Sequence, residues 1–120
     1  MGEAGGHGGI VPEGQAAFAA LDMRVGRVVR AEPHAAARKP AYRLWIDFGP
    51  LGEKTSSAQL ADLYTPEQLA GRLVVCAVNL GVRRIAGFAS EVLVLGLPDA
   101  AGRVVLLQPE RGVPVGGRVY

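Results

Sequence analysis

The chain has one cysteine, two histidines and 6% aromatic residues, with a single tryptophan. The lone Cys76 excludes an intramolecular disulfide and fits a reducing cytoplasm. No apolar run approaches the ~20 residues that a membrane span needs, so no membrane insertion is expected. The first residues, MGEAGGHGGIVPEG, have neither a basic region nor an apolar stretch, so no secretory leader is expected there and a cytoplasmic location is. His7 is a single potential ligand in a glycine run, and one ligand makes no metal site. That run also lacks the preceding strand that a dinucleotide loop requires, and no cofactor is expected. Net charge is small too: 13 basic and 11 acidic residues leave +2. This is not a protein that coats any polyanion.

What is present is a chain of 120 residues, 49% hydrophobic, enough for one core and no second one. Residues 1–11 are glycine-rich and aperiodic, and are expected to be disordered; residues 12–120 form the folded domain. The charge is unevenly spread. Arg24, Arg27, Arg30, Arg38, Lys39 and Arg43 face only Asp22 and Glu32 between residues 22 and 43, a local balance of 6 − 2 = +4. Eleven of the 13 basic residues are arginine, which GC-rich codon usage explains better than a demand for guanidinium.

The pattern predicts a short helix from Pro12 to Leu21, with Phe18 and Leu21 on one face. A strand follows from Met23 to Arg30, with a bulge or bend at Gly26. Pro33 and Pro40 bracket a loop. Tyr42, Leu44, Ile46 and Phe48 alternate with Arg43, Trp45 and Asp47 in the clearest strand. Gly49 to Gly52 turn into a hairpin partner, Glu53 to Ala58. Residues 60–69 read as a short helix or broken turns, Leu73 to Asn79 as a central strand, Val92 to Leu95 as a fully buried one, and Arg103 to Gln108 as a further strand. Short strands with a helix between the third and fourth predict an all-β fold, the five-stranded Greek-key barrel called the OB-fold, with extra C-terminal strands. Strand count alone leaves other small barrels open.

The candidate chemistry is that of binding. Arg83 and Arg84 are expected on a turn folded by Gly87 and Ser90, beside Phe88, where guanidinium forks suit RNA phosphate. The bland alternatives are solvated loop arginines or an ion pair with Glu91. Arg38, Lys39 and Arg43 lie in or after the loop where such barrels often take oligonucleotides. Lys54, Ser56, Ser57 and Gln59 offer donors to ribose or phosphate, or merely face water; Asn79 and Ser90 bracket the arginine pair and complete the polar set. A serine nucleophile needs a partnered base. His34, far off in sequence, gives no sign of being one, so no catalytic residue is assigned. Trp45 could stack a base, but cover by the N-terminal helix or a partner subunit is the preferred reading. Phe88 and Tyr64 either contact an extended chain or plug the ends of the barrel. Cys76 reads as a small core residue.

The words NLGVRRIAGF and SEVLVLG, with YRLWIDFGPLGEKTSSAQL and VVLLQP, resemble the tRNA-binding domain family, and within it the CsaA branch of export-related chaperones. The resemblance runs from about Phe18 to Tyr120. It implies the OB-fold, binding of tRNA and of unfolded or pre-secretory polypeptides, no enzymatic activity, and a homodimer. Phe18, Leu21 and Trp45, under-covered on an isolated barrel, point the same way, to an interface of the N-terminal helix and C-terminal strands. The loop word Ala-Arg-Lys-Pro-Ala-Tyr and the Ser90-Glu91-Val92-Leu93 word depart from the synthetase-attached modules, which read Ala-Asp-Lys-Leu-like and Ser-x-Gly-Met words there. Glu91 also adds a negative charge at that rim.

Overall fold

The computed structural model describes residues 9–120. The expected N-terminal disorder therefore lies, for residues 1–8 and His7 among them, outside the described residues. Strand β1 (Met23–Pro33) is the spine. Its first half pairs antiparallel with β4 (Leu73–Ala77) and its second half with β2 (Tyr42–Asp47). β3 (Glu53–Ala58) adds to β2, and β7 (Leu93–Val94) adds to β4, giving the order β3-β2-β1-β4-β7. The two edges meet. The backbone N–H groups of Glu91 and Val92 donate to the Thr55 carbonyl at 2.8 and 3.2 Å. The Ser56 hydroxyl donates to the Val92 carbonyl at 2.8 Å. The result is a nearly closed five-stranded antiparallel barrel of the OB type, all-β in class.

Alternation places the core. Leu44, Ile46 and Phe48 are fully buried and meet Val28, Leu69, Val74 and Cys76 inside. Gly26 is not the bulge that the sequence offered as one alternative: it stays in register opposite Val74. A Cβ there would stand 2.5 Å from Ile46 Cγ2 and 2.7 Å from Phe48 Cε1, so the glycine is needed for packing. The irregularity falls between Val28 and Arg30 instead. It turns both Val29 and Arg30 outward, the re-aiming that a bulge performs.

Helix α2 (Pro66–Leu69) begins with a capping box. The Thr65 hydroxyl accepts from Gln68 N–H at 3.2 Å, and the Gln68 side chain accepts from Thr65 N–H at 2.9 Å. Pro66 at the first helical position loses no hydrogen bond, and Leu69 plugs the core. Helix α1 (Gly14–Ala20) has no side-chain cap and buries no residue. Seven unpacked residues are marginal by themselves. Here Arg118 and Asn79 hold the end of the helix by donating to the Ala19 and Ala20 carbonyls, both at 2.7 Å.

Three expectations need correction. The arginine pair lies on a strand, β5 (Arg83–Ile85), which forms a hairpin with β6 (Phe88–Ser90). Its two-residue turn is Ala86-Gly87, with φ of 47° and 83°, the positive pair that tight hairpins demand. Val92 to Leu95 is not fully buried: Val92 faces the core, but Leu93 is 52% exposed. The segment has core on one side only. The last expected strand is shorter, β9 (Val104–Leu106), and pairs with β8 (Gly96–Pro98). The tail then returns to β1, bridging Arg118 to Arg24.

Candidate nucleic-acid interface

The outer face of β1, β2 and β3 is built in rows. Glu32, Arg43 and Ser57 lie opposite one another across the three strands, and Arg30, Trp45 and Thr55 form the next row. The β5–β6 hairpin is pinned beside this face through β3. The Thr55 hydroxyl donates to the Ala89 carbonyl at 2.7 Å, and Ser57 N–H donates to the Ser90 hydroxyl at 3.0 Å. Phe88 thus reaches over the sheet. Its ring meets the rings of Trp45 and His34 edge-on, at 5.6 and 5.7 Å between centroids, and the Arg43 guanidinium at 5.8 Å. On Trp45 the Arg30 guanidinium lies 4.3 Å from the ring centre, within cation–π range. Trp45 is therefore covered by Arg30 and Phe88, and not by the N-terminal helix. Phe88 is no end plug. Tyr64 is closer to one: it packs against the core, and its hydroxyl accepts from Leu106 N–H at 3.0 Å.

Between the hairpin tip and the loop after β1 runs a cleft of about 840 Å³, lined by Arg38, Lys39, Ser57, Gln59, Ile85 and Ala86. The loop is fixed at its base, where His34 N–H donates to the Ala41 carbonyl at 2.9 Å. His34 itself is buried, with Nδ1 3.0 Å from the Ser57 hydroxyl. The fold thus joins a histidine and a serine that lie far apart in sequence. Among the described residues no carboxylate bonds to that histidine, so the pair lacks the third group that orients a catalytic base.

The polar set expected from the sequence divides in two. Arg38, Lys39, Ser57 and Gln59 meet in the cleft; Arg43 and Phe88 flank it; Arg83 and Arg84 are exposed on β5, which leads to the cleft wall. Ser56 does not reach the surface: it is buried, and its hydroxyl is used in barrel closure. Lys54 shares the face of Ser56 and not that of Ser57, by the alternation of β3. Asn79 uses both ends of its amide on backbone, accepting from Asp22 N–H at 2.9 Å and donating to Ala20. Ser90 is the hairpin's anchor. Arg30, Glu32, Ile85 and Ala86 were missed, although Arg30 and Glu32 carry a period-two signal that extends that of Arg43 and Trp45.

The electrostatics are equally divided. Among the described residues no carboxylate lies within ion-pair distance of Arg38, Lys39, Arg83 or Arg84. The anticipated pair with Glu91 does not form, because that carboxylate accepts from Thr55 N–H and hydroxyl, each at 2.9 Å. Among the described residues no group of three or more His, Cys, Asp or Glu could hold a metal ion. No helix there is long and apolar enough to cross a membrane.

A small β-barrel with a cationic cleft on one side, flanked by an exposed aromatic pair, belongs to the oligonucleotide-binding class of barrels. The chain belongs to the family described as "Putative tRNA binding domain", which matches residues 23–118, and within it to the CsaA type. It is similar to the structure of the chaperone CsaA from Bacillus anthracis, at 48% identity and a TM-score of 0.79, over 88% of this chain and 96% of that one. The CsaA chaperone protein of Picrophilus torridus gives 39% and 0.82, over 88% and 97%. The methionine–tRNA ligase of Methanosarcina mazei is 33% identical over 85% of this chain, which spans only 14% of that enzyme's length.

Proposed function

We propose that this protein binds tRNA through the cleft between the loop after β1 and the β5–β6 hairpin. The observation that carries the reading is the set of carboxylate-free cations, Arg38 and Lys39 in the cleft and Arg83 and Arg84 on the strand that leads to it, on the same side as the Phe88–Trp45 pair that flanks the cleft. Cations without a resident partner are open to backbone phosphate, and aromatic faces take unpaired bases. A balance of only +2 means that placement matters more than total charge. A mobility shift with bulk tRNA at two salt concentrations tests this. Binding that weakens steeply with salt supports it, and no shift at low salt removes it.

A second reading, chaperoning of unfolded or pre-secretory polypeptide, is favoured by the cleft walls, which are alanine and isoleucine as well as cations. An extended chain can lie along such a surface. Both ligands then share one site in the cytoplasm, and tRNA should displace a bound unfolded polypeptide. Simultaneous binding would separate the two.

A separate apolar surface supports a homodimer. A groove of about 730 Å³, lined by Met23, Val25, Val75, Leu95, Leu107 and Val119, lies near exposed Leu93, Leu97 and Val105. Uncovered apolar surface of this extent marks an interface. Light scattering should give twice 12.5 kDa, and a monomer at micromolar concentration would refute the dimer.

A further inference from the structure

Glu32 sits in the middle of the cationic face and holds two arginines at once. One carboxylate oxygen accepts from the Arg30 guanidinium, through Nε at 2.7 Å and also through Nη2. The other accepts from Arg43 Nη2 at 2.9 Å. The Arg30 side chain is 60% exposed and that of Glu32 30%, so the triad is open to solvent. The pairing is incomplete. Arg43 Nε is buried with no hydrogen-bond partner, the one such side-chain polar atom among the described residues. Glu32 therefore takes one corner of the Arg43 fork and leaves the adjacent donor idle. A buried donor without an acceptor is costly, and an anion that could use Nε and Nη2 together would form the stronger bidentate contact. Both guanidiniums also lie on aromatic rings, Arg30 on Trp45 and Arg43 near Phe88, which fixes their planes when the carboxylate leaves.

We propose that Arg30 and Arg43 form a phosphodiester-binding site whose resident occupant is the Glu32 carboxylate, displaced when RNA docks. This inference rests on the RNA-binding reading and adds a site to it. It divides the cationic face into two kinds of contact. Arg38, Lys39, Arg83 and Arg84 exchange mobile counterions for phosphate, so each makes binding salt-dependent. Arg30 and Arg43 exchange a tethered carboxylate for phosphate. The freed carboxylate collects counterions as the phosphate sheds them, so this site adds affinity with almost no salt dependence. Glu32 thereby acts as a built-in competitor that keeps any passing polyanion from using these two arginines cheaply.

The test is a cycle of Glu32→Gln, Arg43→Gln and the double variant, read by tRNA binding across a salt series and repeated with heparin. Glu32→Gln, which removes one competing charge, is expected to tighten binding by about five- to eightfold near 0.1 M salt and to steepen the slope of log K against log salt by about 0.7 to 0.9. Arg43→Gln alone should weaken binding and leave the slope unchanged, where loss of an ordinary phosphate-binding cation would lower it by the same ~0.7 to 0.9. In the double variant Arg30 still meets the phosphate without a competitor, so the added steepness of Glu32→Gln should persist while the affinity falls below that of Glu32→Gln alone. Glu32→Gln that binds no tighter, with an unchanged slope, would reduce Glu32 to a structural partner and overturn the proposal. So would a loss of slope in Arg43→Gln, which decides the matter even if Glu32→Gln does not fold. If the unaltered protein binds no tRNA, the RNA reading fails, and the heparin series still decides whether Glu32 competes for the two arginines.

Discussion

Phe88 meets Trp45 edge-on, with ring centroids 5.6 Å apart and an angle of 71° between the rings, on the outside of the barrel. Neither ring belongs to the buried cluster around Phe48. The pair joins a hairpin to a sheet that it does not hydrogen-bond through β2, and it leaves both rings partly open to a ligand. Such aromatic contacts contribute about 0.5 to 1.5 kcal/mol beyond burial. Phe88→Ala, which also gives up the partial burial of the ring, is therefore expected to lower stability by roughly 2 kcal/mol while clearly weakening tRNA or polypeptide binding. Phe48→Ala, in the core, should cost about 3 to 5 kcal/mol. Chemical denaturation of the two variants checks this, and equal losses would return Phe88 to a packing role.

The arginines of β5 carry the salt dependence. Replacing Arg83 and Arg84 together by alanine should weaken tRNA binding and flatten the slope of log K against log salt by about 0.7 to 0.9 for each phosphate that is no longer neutralised. Arg84 already donates to the Gly87 carbonyl at 3.2 Å, so Arg83, whose side chain makes no hydrogen bond among the described residues, should account for the larger part. A salt series on each single variant separates them. A slope that stays unchanged in the double variant moves the site off the hairpin.

Strand periodicity made much of this fold readable. Leu44, Ile46 and Phe48 announce a half-buried strand, while residues 60–69 left a short helix and broken turns both open until the Thr65 capping box decided for the helix. The cleft was half legible: Arg38 and Lys39 follow from a loop between prolines, and Arg83 and Arg84 from a charged pair before a turn. What the sequence hid were distances set by pairing. Ser56 and Ser57 look alike in the chain, yet the pleat sends one to the core and the other to the cleft. His34 reaches Ser57 only because β2 lies between their strands. The bulge that turns Arg30 toward Trp45 leaves no glycine or proline to mark it, while Gly26 draws attention to a place where the register does not shift.

Ser56 closes the barrel without touching a ligand. Its hydroxyl is buried and donates to the Val92 carbonyl at 2.8 Å. Ser56→Ala leaves that carbonyl without its donor, which should cost about 1 to 3 kcal/mol and leave tRNA affinity unchanged in the folded protein. Ser57→Ala should behave in the opposite way, with weaker binding and a smaller loss of stability. Thermal melts beside mobility shifts distinguish the two neighbours, and a binding defect confined to Ser56→Ala would refute their assignment to opposite faces.

Cys76 carries the pH-dependent part of the core's stability. Burial pushes its thiol from the ordinary value of 9.0 up to about 12. The neutral form is favoured in the folded state, so the contribution is complete below the unfolded value near 9 and is lost as pH rises from there toward about 12. At pH 8 the native thiol should resist iodoacetamide and react at the rate of the unfolded chain once urea is added, because only the exposed thiolate attacks. Cys76→Ala should be less stable than the parent at neutral pH, from the space it opens in the core. The gap should narrow as pH is raised above about 9, where the parent alone has a thiol to ionise on unfolding. Melting temperatures of both proteins across that range give the measurement. A constant gap, or rapid alkylation of the native protein, would mean that Cys76 is reached by solvent and that the β1–β4 side of the barrel opens more readily than its packing indicates.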